Sequence, residues 1–191
     1  MVERSGAPDG IVDLICSEAL SAVERPGLVL ELWSELGVIL PRALNRLGAR
    51  HGVALSSSPM PSTDLGPQPS HPGITRGLIL DGPVSAPVVV GVLPWRWAPQ
   101  TAQVQTPDGV VELVDDPAVV TLLQACWLMP RPGVAVVVAG PGFLARRGPH
   151  SVAANLQRLG LDLISVRTLD RGAFRPAAGR GRLLLALGQH S

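Results

Sequence analysis

The residues best placed to do chemistry lie at the end of one apolar run. Val88 to Val92 is β-branched apart from Gly91, and the chain then reads Leu93-Pro94-Trp95-Arg96-Trp97. In an open α/β sheet the ligand sits beyond the carboxyl ends of the strands. A stiff Pro94 followed by Trp95 presents a ring at that rim, and Trp97 and Arg96 add a second aromatic face and a guanidinium suited to stacking on a base. The same tryptophans could equally cap a sheet edge. Two acids close other apolar runs: Glu31 in Leu28-Val29-Leu30-Glu31-Leu32, and Asp81 after Gly77-Leu78-Ile79-Leu80. Either could meet a polar ligand. Glu31 with Trp33 also reads as a plain strand end, and Asp81-Gly82-Pro83 as a generic turn. Arg171, Arg175, Arg180 and Arg182 cluster in a Gly-rich segment, the best local case for an anion, whereas Arg146-Arg147 reads as a solvated loop.

Other chemistries find no support in the residue types. Two cysteines and four scattered histidines assemble no metal-ligand spacing. His150 and His190 have no partner at catalytic spacing, so neither a Ser-His-Asp nor a Cys-His pair emerges. Cys16 and Cys126 sit in apolar, helical-looking stretches and read as buried free thiols of a reducing compartment.

The elements that must position these residues can be read in order. Asp9-Gly10 opens a helix whose apolar residues Ile11, Leu14, Ile15, Ala19 and Leu20 run through to Val23, ended by Pro26-Gly27. Leu28 to Leu32 is a buried strand. Pro41 fits the first turn of a helix striped by Ala43, Leu44 and Leu47 and ended by Gly48. Val53 to Leu55 is a second strand, Gly77 to Asp81 a third and Val88 to Leu93 a fourth. Between the second and third, residues 56–73 carry five prolines and form a Ser/Pro/Gly loop. Residues 101–115 read as a hairpin turning at Pro107-Asp108-Gly109. Asp116-Pro117 starts a helix to Met129 with Val119, Val120, Leu123, Cys126 and Trp127 on one face. Val134 to Val138 is a strand buried on both sides. A helix from Ser151 to Leu159 closes at Gly160, and two strands follow, Leu161 to Val166 and Arg182 to Leu187. No helical period separates them, so they pair antiparallel. The sum is an α/β three-layer sandwich with a mostly parallel, Rossmann-like sheet and an antiparallel final strand, in a single domain over residues 1–191.

Composition agrees with a packed core: 191 residues, 46% hydrophobic and 16% charged. All 16 basic residues are arginine, and a net charge of +1 gives no global field for nucleic acid. No apolar run approaches the roughly 18 residues of a membrane span, and the polar N-terminus has no signal-peptide core, so a cytoplasmic protein is expected.

One resemblance becomes specific at this point. Gly133 to Gly142, Phe143-Leu144, Ala173-Phe174 and Leu183 to Leu187 follow the order and spacing of the C-terminal part of adenine-specific DNA methyltransferases, as in type I modification subunits. The upstream half fits in order as well, so the chain resembles a class I S-adenosylmethionine-dependent methyltransferase over nearly its whole length. The resemblance implies a cofactor loop after the first strand: an acid, three residues, Gly, one residue, Gly. Here Glu31 and Gly37 match, but Glu35 replaces the middle glycine. A Glu there adds bulk where backbone must approach the ligand. It also sets like charge near the methionyl carboxylate, costing a few kcal/mol, on the order of a hundredfold in affinity. After the second strand, Ser56-Ser57-Ser58 stands where the family places an acid for the ribose. Asp81 matches an acid that contacts the adenine. The catalytic motif, Asn/Asp-Pro-Pro-aromatic, becomes Val92-Leu93-Pro94-Trp95. Pro94 and Trp95 match, but Val92 cannot accept a hydrogen bond from a target amine.

These departures point to a methyltransferase scaffold without catalysis, which would hold no cofactor and serve as an interaction or regulatory subunit of an assembly handling nucleic acid. A protein partner or a homo-oligomer is then expected, and no membrane. The alternatives are an active S-adenosylmethionine-dependent methyltransferase using Glu31, Gly37, Asp81, Pro94 and Trp95, and a nucleic-acid binder using Trp97, Arg96, Arg175 and Trp95 without chemistry.

Overall fold

Capping residues and glycines punctuate the helices. In a computed structural model of the chain, residues 9–34, 39–56, 73–79, 84–94, 100–106, 109–145, 147–148, 151–169 and 182–189 are described. They form helices α1 (Asp9–Ala22), α2 (Ile39–Leu47), α3 (Pro117–Leu128) and α4 (Val152–Arg158). The strands are β1 (Leu28–Leu32), β2 (His51–Ser56), β3 (Ile74–Leu78), β4 (Val88–Val92), β5 (Gln100–Thr106), β6 (Gly109–Asp115), β7 (Val134–Ala139), β8 (Leu161–Leu169) and β9 (Arg182–Gln189). Asp116 caps α3 by accepting the Ala118 N–H at 3.0 Å, with Pro117 in the first position, where a missing N–H costs nothing. Ser151 does the same for α4, accepting from Ala154 at 3.2 Å. Gly48 ends α2 at φ +64°, a left-handed conformation that a side chain would strain.

Seven strands form one sheet in the order β3-β2-β1-β4-β7-β9-β8, and β5-β6 form a separate hairpin. All neighbours in the large sheet are parallel except β9, which runs antiparallel to both β7 and β8. This is the α/β sandwich with an antiparallel last strand that the element order implies. β8 and β9 are direct neighbours and run antiparallel, so the chain returns alongside itself.

Period-2 alternation sorts the two faces. Val29, Val88, Val90, Val134, Val136, Val138, Leu184 and Ala186 pack with α1 and α2. Leu30, Leu32, Val89, Ala135, Val137, Leu185 and Leu187 pack with α3, α4 and the hairpin residues Val104 and Leu113. β7 is buried at every position, as a strand covered by helices on both faces must be.

Three expectations need correction. The third strand is Ile74–Leu78, not Gly77–Asp81. Its register against β2, Gly52↔Ile74 through Ser56↔Leu78, sets its bounds, and an edge strand tolerates the exposed Thr75 and Arg76. The buried face of α1 is Ile11, Val12, Ile15, Cys16, Ala19 and Val23, while Leu14 and Leu20 point outward at 38% and 41% exposure. Both fall outside the arc that a 100° step per residue turns toward the sheet. α3 is buried nearly all round rather than on one stripe, and Trp127 is only half-buried.

Candidate functional site

In open α/β sheets ligands sit beyond the carboxyl ends of the strands, and at the ends of β1 and β4 Glu31 is the most buried acid among the described residues. Alternation turns Glu31 toward the α2 face, with Ala54 and Val90 beside it in register. It is 2% exposed. Its Oε2 accepts the Ser34 hydroxyl at 2.8 Å and the Leu40 N–H at 3.1 Å. Leu40 is the second residue of α2, whose first N–H groups have no partner within the helix. A carboxylate there meets the positive end of the helix dipole. The turn is tied to β2 as well, since the Ser34 N–H donates to the Leu55 carbonyl at 2.9 Å.

Between Glu31 and Ser34 the backbone turns through Trp33 at φ +59°, in the left-handed region that favours glycine. Trp33 is nonetheless only 7% exposed and belongs to the apolar cluster on the α3/α4 face. Its ring lies against Gly91, the penultimate residue of β4. A Cβ at Gly91 would stand 2.6 Å from the Leu32 carbonyl oxygen and 3.3 Å from Trp33 Cε3. Left-handed backbone costs about 1–2 kcal/mol for a residue with a Cβ. Burying an indole returns more, roughly 4 kcal/mol or above for 150–250 Å² of surface. Burial therefore wins, and the chain keeps a large side chain at a glycine-like corner.

At the end of β4, Val92 follows Val88 and Val90 onto the α1/α2 face, half-buried against that cluster. Leu93 is 1% exposed on the other face and its N–H donates to the Val138 carbonyl at 2.8 Å. Pro94 is exposed. Gly37, Glu35, Asp81, Trp95, Arg96, Trp97 and Arg175 lie outside the described residues, as do Arg171 and Arg180; of the arginine cluster Arg182 is described, half-buried in β9. Among the expected site residues, then, Glu31 is placed in β1 and Pro94 two residues beyond the end of the neighbouring β4.

A second polar group was not foreseen. Asp115, at the end of β6, is 0% exposed, and its Oδ2 accepts the Asn155 Nδ2 of α4 at 2.8 Å. The Asp116 N–H donates to Asp115 Oδ1 at 2.7 Å. Asn155 is also fully buried, and its Oδ1 has no hydrogen-bond partner among the described residues. Asp115 and Asp116 announce a helix start; nothing local announces a partner forty residues away. Ser56, the first residue of the triplet expected at the ribose position, is 7% exposed at the end of β2.

Both cysteines are buried and free. Burial pushes the Cys16 thiol up to about 11, with Asp13 nearby adding to the rise, and burial raises Cys126 further still. Two cavities of about 410 Å³ each are lined by described residues. One lies between α1 and α2, with Asp13, Arg42 and Arg46 on its walls, and the other at the amino end of β7, beside Pro130, Arg131 and Gln189. Neither lies at the rim of β1 and β4. Among the described residues no group of His, Cys, Asp and Glu could hold a metal ion, and no helix is long and apolar enough to cross a membrane.

The strand order, the antiparallel β9 and the helices on both faces are those of the class I S-adenosylmethionine-dependent methyltransferase fold, and solved structures match it. A proposed class I S-adenosylmethionine-dependent methyltransferase from Listeria monocytogenes superposes with a TM-score of 0.67 at 14% identity, over 97% of this chain and 61% of that one. The methyltransferase subunit of a type I restriction-modification system from Streptococcus thermophilus gives 0.66 at 13% identity, over 98% of this chain and 45% of that one. The 1,6-didemethyltoxoflavin-N1-methyltransferase of Burkholderia thailandensis, with S-adenosylhomocysteine bound, gives 0.57 at 15% identity, over 96% and 80%. This chain thus spans less than half of the type I subunit. At these identities the likeness is one of fold. No protein-family model and no curated protein matches the sequence.

Proposed function

We propose that the chain is a non-catalytic member of this fold, a scaffold subunit that works through macromolecular contacts. The observation that carries this reading is the side chain of Trp33, buried against Gly91 at the turn where a donor-binding loop would expose its backbone. S-adenosylmethionine, the donor the fold implies, meets a poor cradle in the described residues. Glu31 accepts from Ser34 and from the first turn of α2. The space that Gly91 leaves is taken by Leu32 and Trp33. At the end of β4, Val92 brings a hydrocarbon side chain to the position of the amine acceptor, so that side chain cannot orient a nucleophile by a hydrogen bond. A role within an assembly that handles nucleic acid rests on the likeness to a type I modification subunit.

The competing reading, an active methyltransferase, draws on the fold neighbour that holds S-adenosylhomocysteine. Calorimetric titration of the whole chain with S-adenosylmethionine and with S-adenosylhomocysteine separates the two. The scaffold reading expects no binding tighter than about 100 μM, roughly −5.5 kcal/mol. A tighter isotherm for either ligand overturns it. A salt-dependent mobility shift on a DNA or RNA fragment would support the nucleic-acid link, with the slope counting the phosphates contacted.

A further inference from the structure

The two edges of the seven-stranded sheet differ in kind. β3 is five residues long and exposes Thr75 and Arg76. β8 is nine residues long and exposes three aliphatic side chains, Leu163 at 36%, Ile164 at 55% and Val166 at 44%. Edge strands offer unpaired N–H and C=O groups, and proteins usually keep such apolar residues off them.

The irregularity in β8 gives this edge a particular symmetry. Between Leu163 and Ser165 the register against β9 slips, leaving Ile164 as the extra residue of a bulge. The phase of the strand changes there. Leu163 opposes Leu187 and Val166 opposes Leu185, so both stand on the α3/α4 face. Asp162 opposes Gly188 and Arg167 opposes Leu184, so both stand on the α1/α2 face. In an unbroken strand residues three or five apart would point to opposite faces.

We propose that β8 pairs antiparallel with β8 of a second copy of this chain, about a two-fold axis between Ile164 and Ser165. That axis sets Leu163 opposite Val166 of the second copy and Asp162 opposite Arg167, each pair on one face. Aliphatic thus meets aliphatic and acid meets base, the cross-strand pairings that stabilise a sheet. The match is isologous, as a two-fold dimer requires. Arg167 already bonds Glu18 of α1 at 2.9 Å, yet its side chain is 59% exposed, and a guanidinium has donors for a second carboxylate. The same Glu18 accepts the Ser165 hydroxyl, which anchors the centre of the strand to α1. Self-pairing would join two seven-stranded sheets into one continuous sheet. It is independent of whether the rim beyond β1 holds a ligand.

Sedimentation velocity of the whole chain tests this at about 100 μM, well above the micromolar dissociation constants of modest interfaces. The wild-type chain is expected at twice its chain mass. Leu163→Lys and Val166→Glu, each checked for a native circular-dichroism melt, are expected to weaken the dimer at least tenfold. The combined L163K/V166E chain is expected to recover it, because each new lysine then faces a new glutamate across the axis. Hydrogen exchange on the unaltered protein gives a readout free of mutation: amides 162–168 gain protection between about 1 and 100 μM. A wild-type chain that stays monomeric, including one that binds only a foreign strand, overturns the proposal. So do single variants that remain dimeric, a folded double variant that does not recover, or exchange at 162–168 that ignores concentration.

Discussion

The carboxylate of Glu31 accepts the backbone N–H of Leu40 at 3.1 Å, joining the end of β1 to the first turn of α2 while only 2% exposed. The same oxygen completes the start of the helix and holds the Ser34 hydroxyl as well. Glu31→Ala would leave a buried N–H and a hydroxyl without their acceptor. The expected loss is about 2–4 kcal/mol, a fall in Tm of roughly 5–15 °C for a domain of this size. Glu31→Gln keeps one acceptor oxygen and loses the charge at the helix terminus, so it should cost about 1 kcal/mol. Differential scanning calorimetry of both variants checks this, and an alanine variant melting within a degree of the wild type would refute the capping role.

Gly91 is held to glycine by what lies beside it rather than by its own backbone angles. A methyl group there would come within 2.6 Å of the Leu32 carbonyl oxygen, an atom of the neighbouring strand that cannot move without parting β1 from β4. Gly91→Ala is expected to destabilise by about 2–4 kcal/mol. In a Trp33→Gly background, which by itself loses the burial of the indole, Gly91→Ala should still cost nearly as much, because the 3.3 Å contact with the ring is the looser of the two. Urea titration of the wild type, both single variants and the double closes the cycle, and a Gly91→Ala cost that vanishes in the Trp33→Gly background would mean that the indole, not the strand, sets the limit.

Alkaline stability should be governed by thiols alone. The sequence has no tyrosine and no lysine, so between the α-amino group and arginine only Cys16 and Cys126 titrate at high pH. Folding raises both, Cys16 from 9.0 to about 11 by burial and the nearby Asp13, and Cys126 further by burial. A raised thiol is protonated in the native state where the unfolded chain has already lost its proton. Stability is therefore intact below pH 9 and falls as pH climbs past it, by about 1.4 kcal/mol per pH unit for each thiol. For Cys16 the fall levels off beyond pH 11. Urea midpoints from pH 8 to 11 should show this decline, and Cys126→Ala should roughly halve its slope whatever it does to stability at pH 8. A midpoint that does not move across this range would contradict the burial of both thiols.

What could be read from residues alone was whatever is encoded within a few positions. Leu28–Leu32 is a strand because five consecutive residues suit a buried pleat, and α3 begins at Pro117 because Asp116 caps it. The valines of β7 demanded helices on both faces, and the lack of a helical period in the sequence between β8 and β9 implied the antiparallel return. Strung together, those local signals were enough for a mostly parallel α/β sheet with an antiparallel final strand, while the order of the strands, β3-β2-β1-β4-β7-β9-β8, came with the fold. The departures at Glu35 and Val92 were likewise visible as residue types in a motif.

Tertiary structure decided where those residues spend their bonding capacity. The Oε2 of Glu31 accepts from an amide nine positions away, a partner no local pattern names, because β1 and α2 pack that way. Asp115 finds Asn155 forty positions on, and the extra residue of β8 shows only when its register against β9 is drawn. The bounds of β3 follow from β2 rather than from its own apolar run. The reason is common to all four. Periodicity and caps are short-range properties of the chain, whereas the partner of a buried polar group or of an edge strand is whatever the packed fold brings within about 3 Å of it.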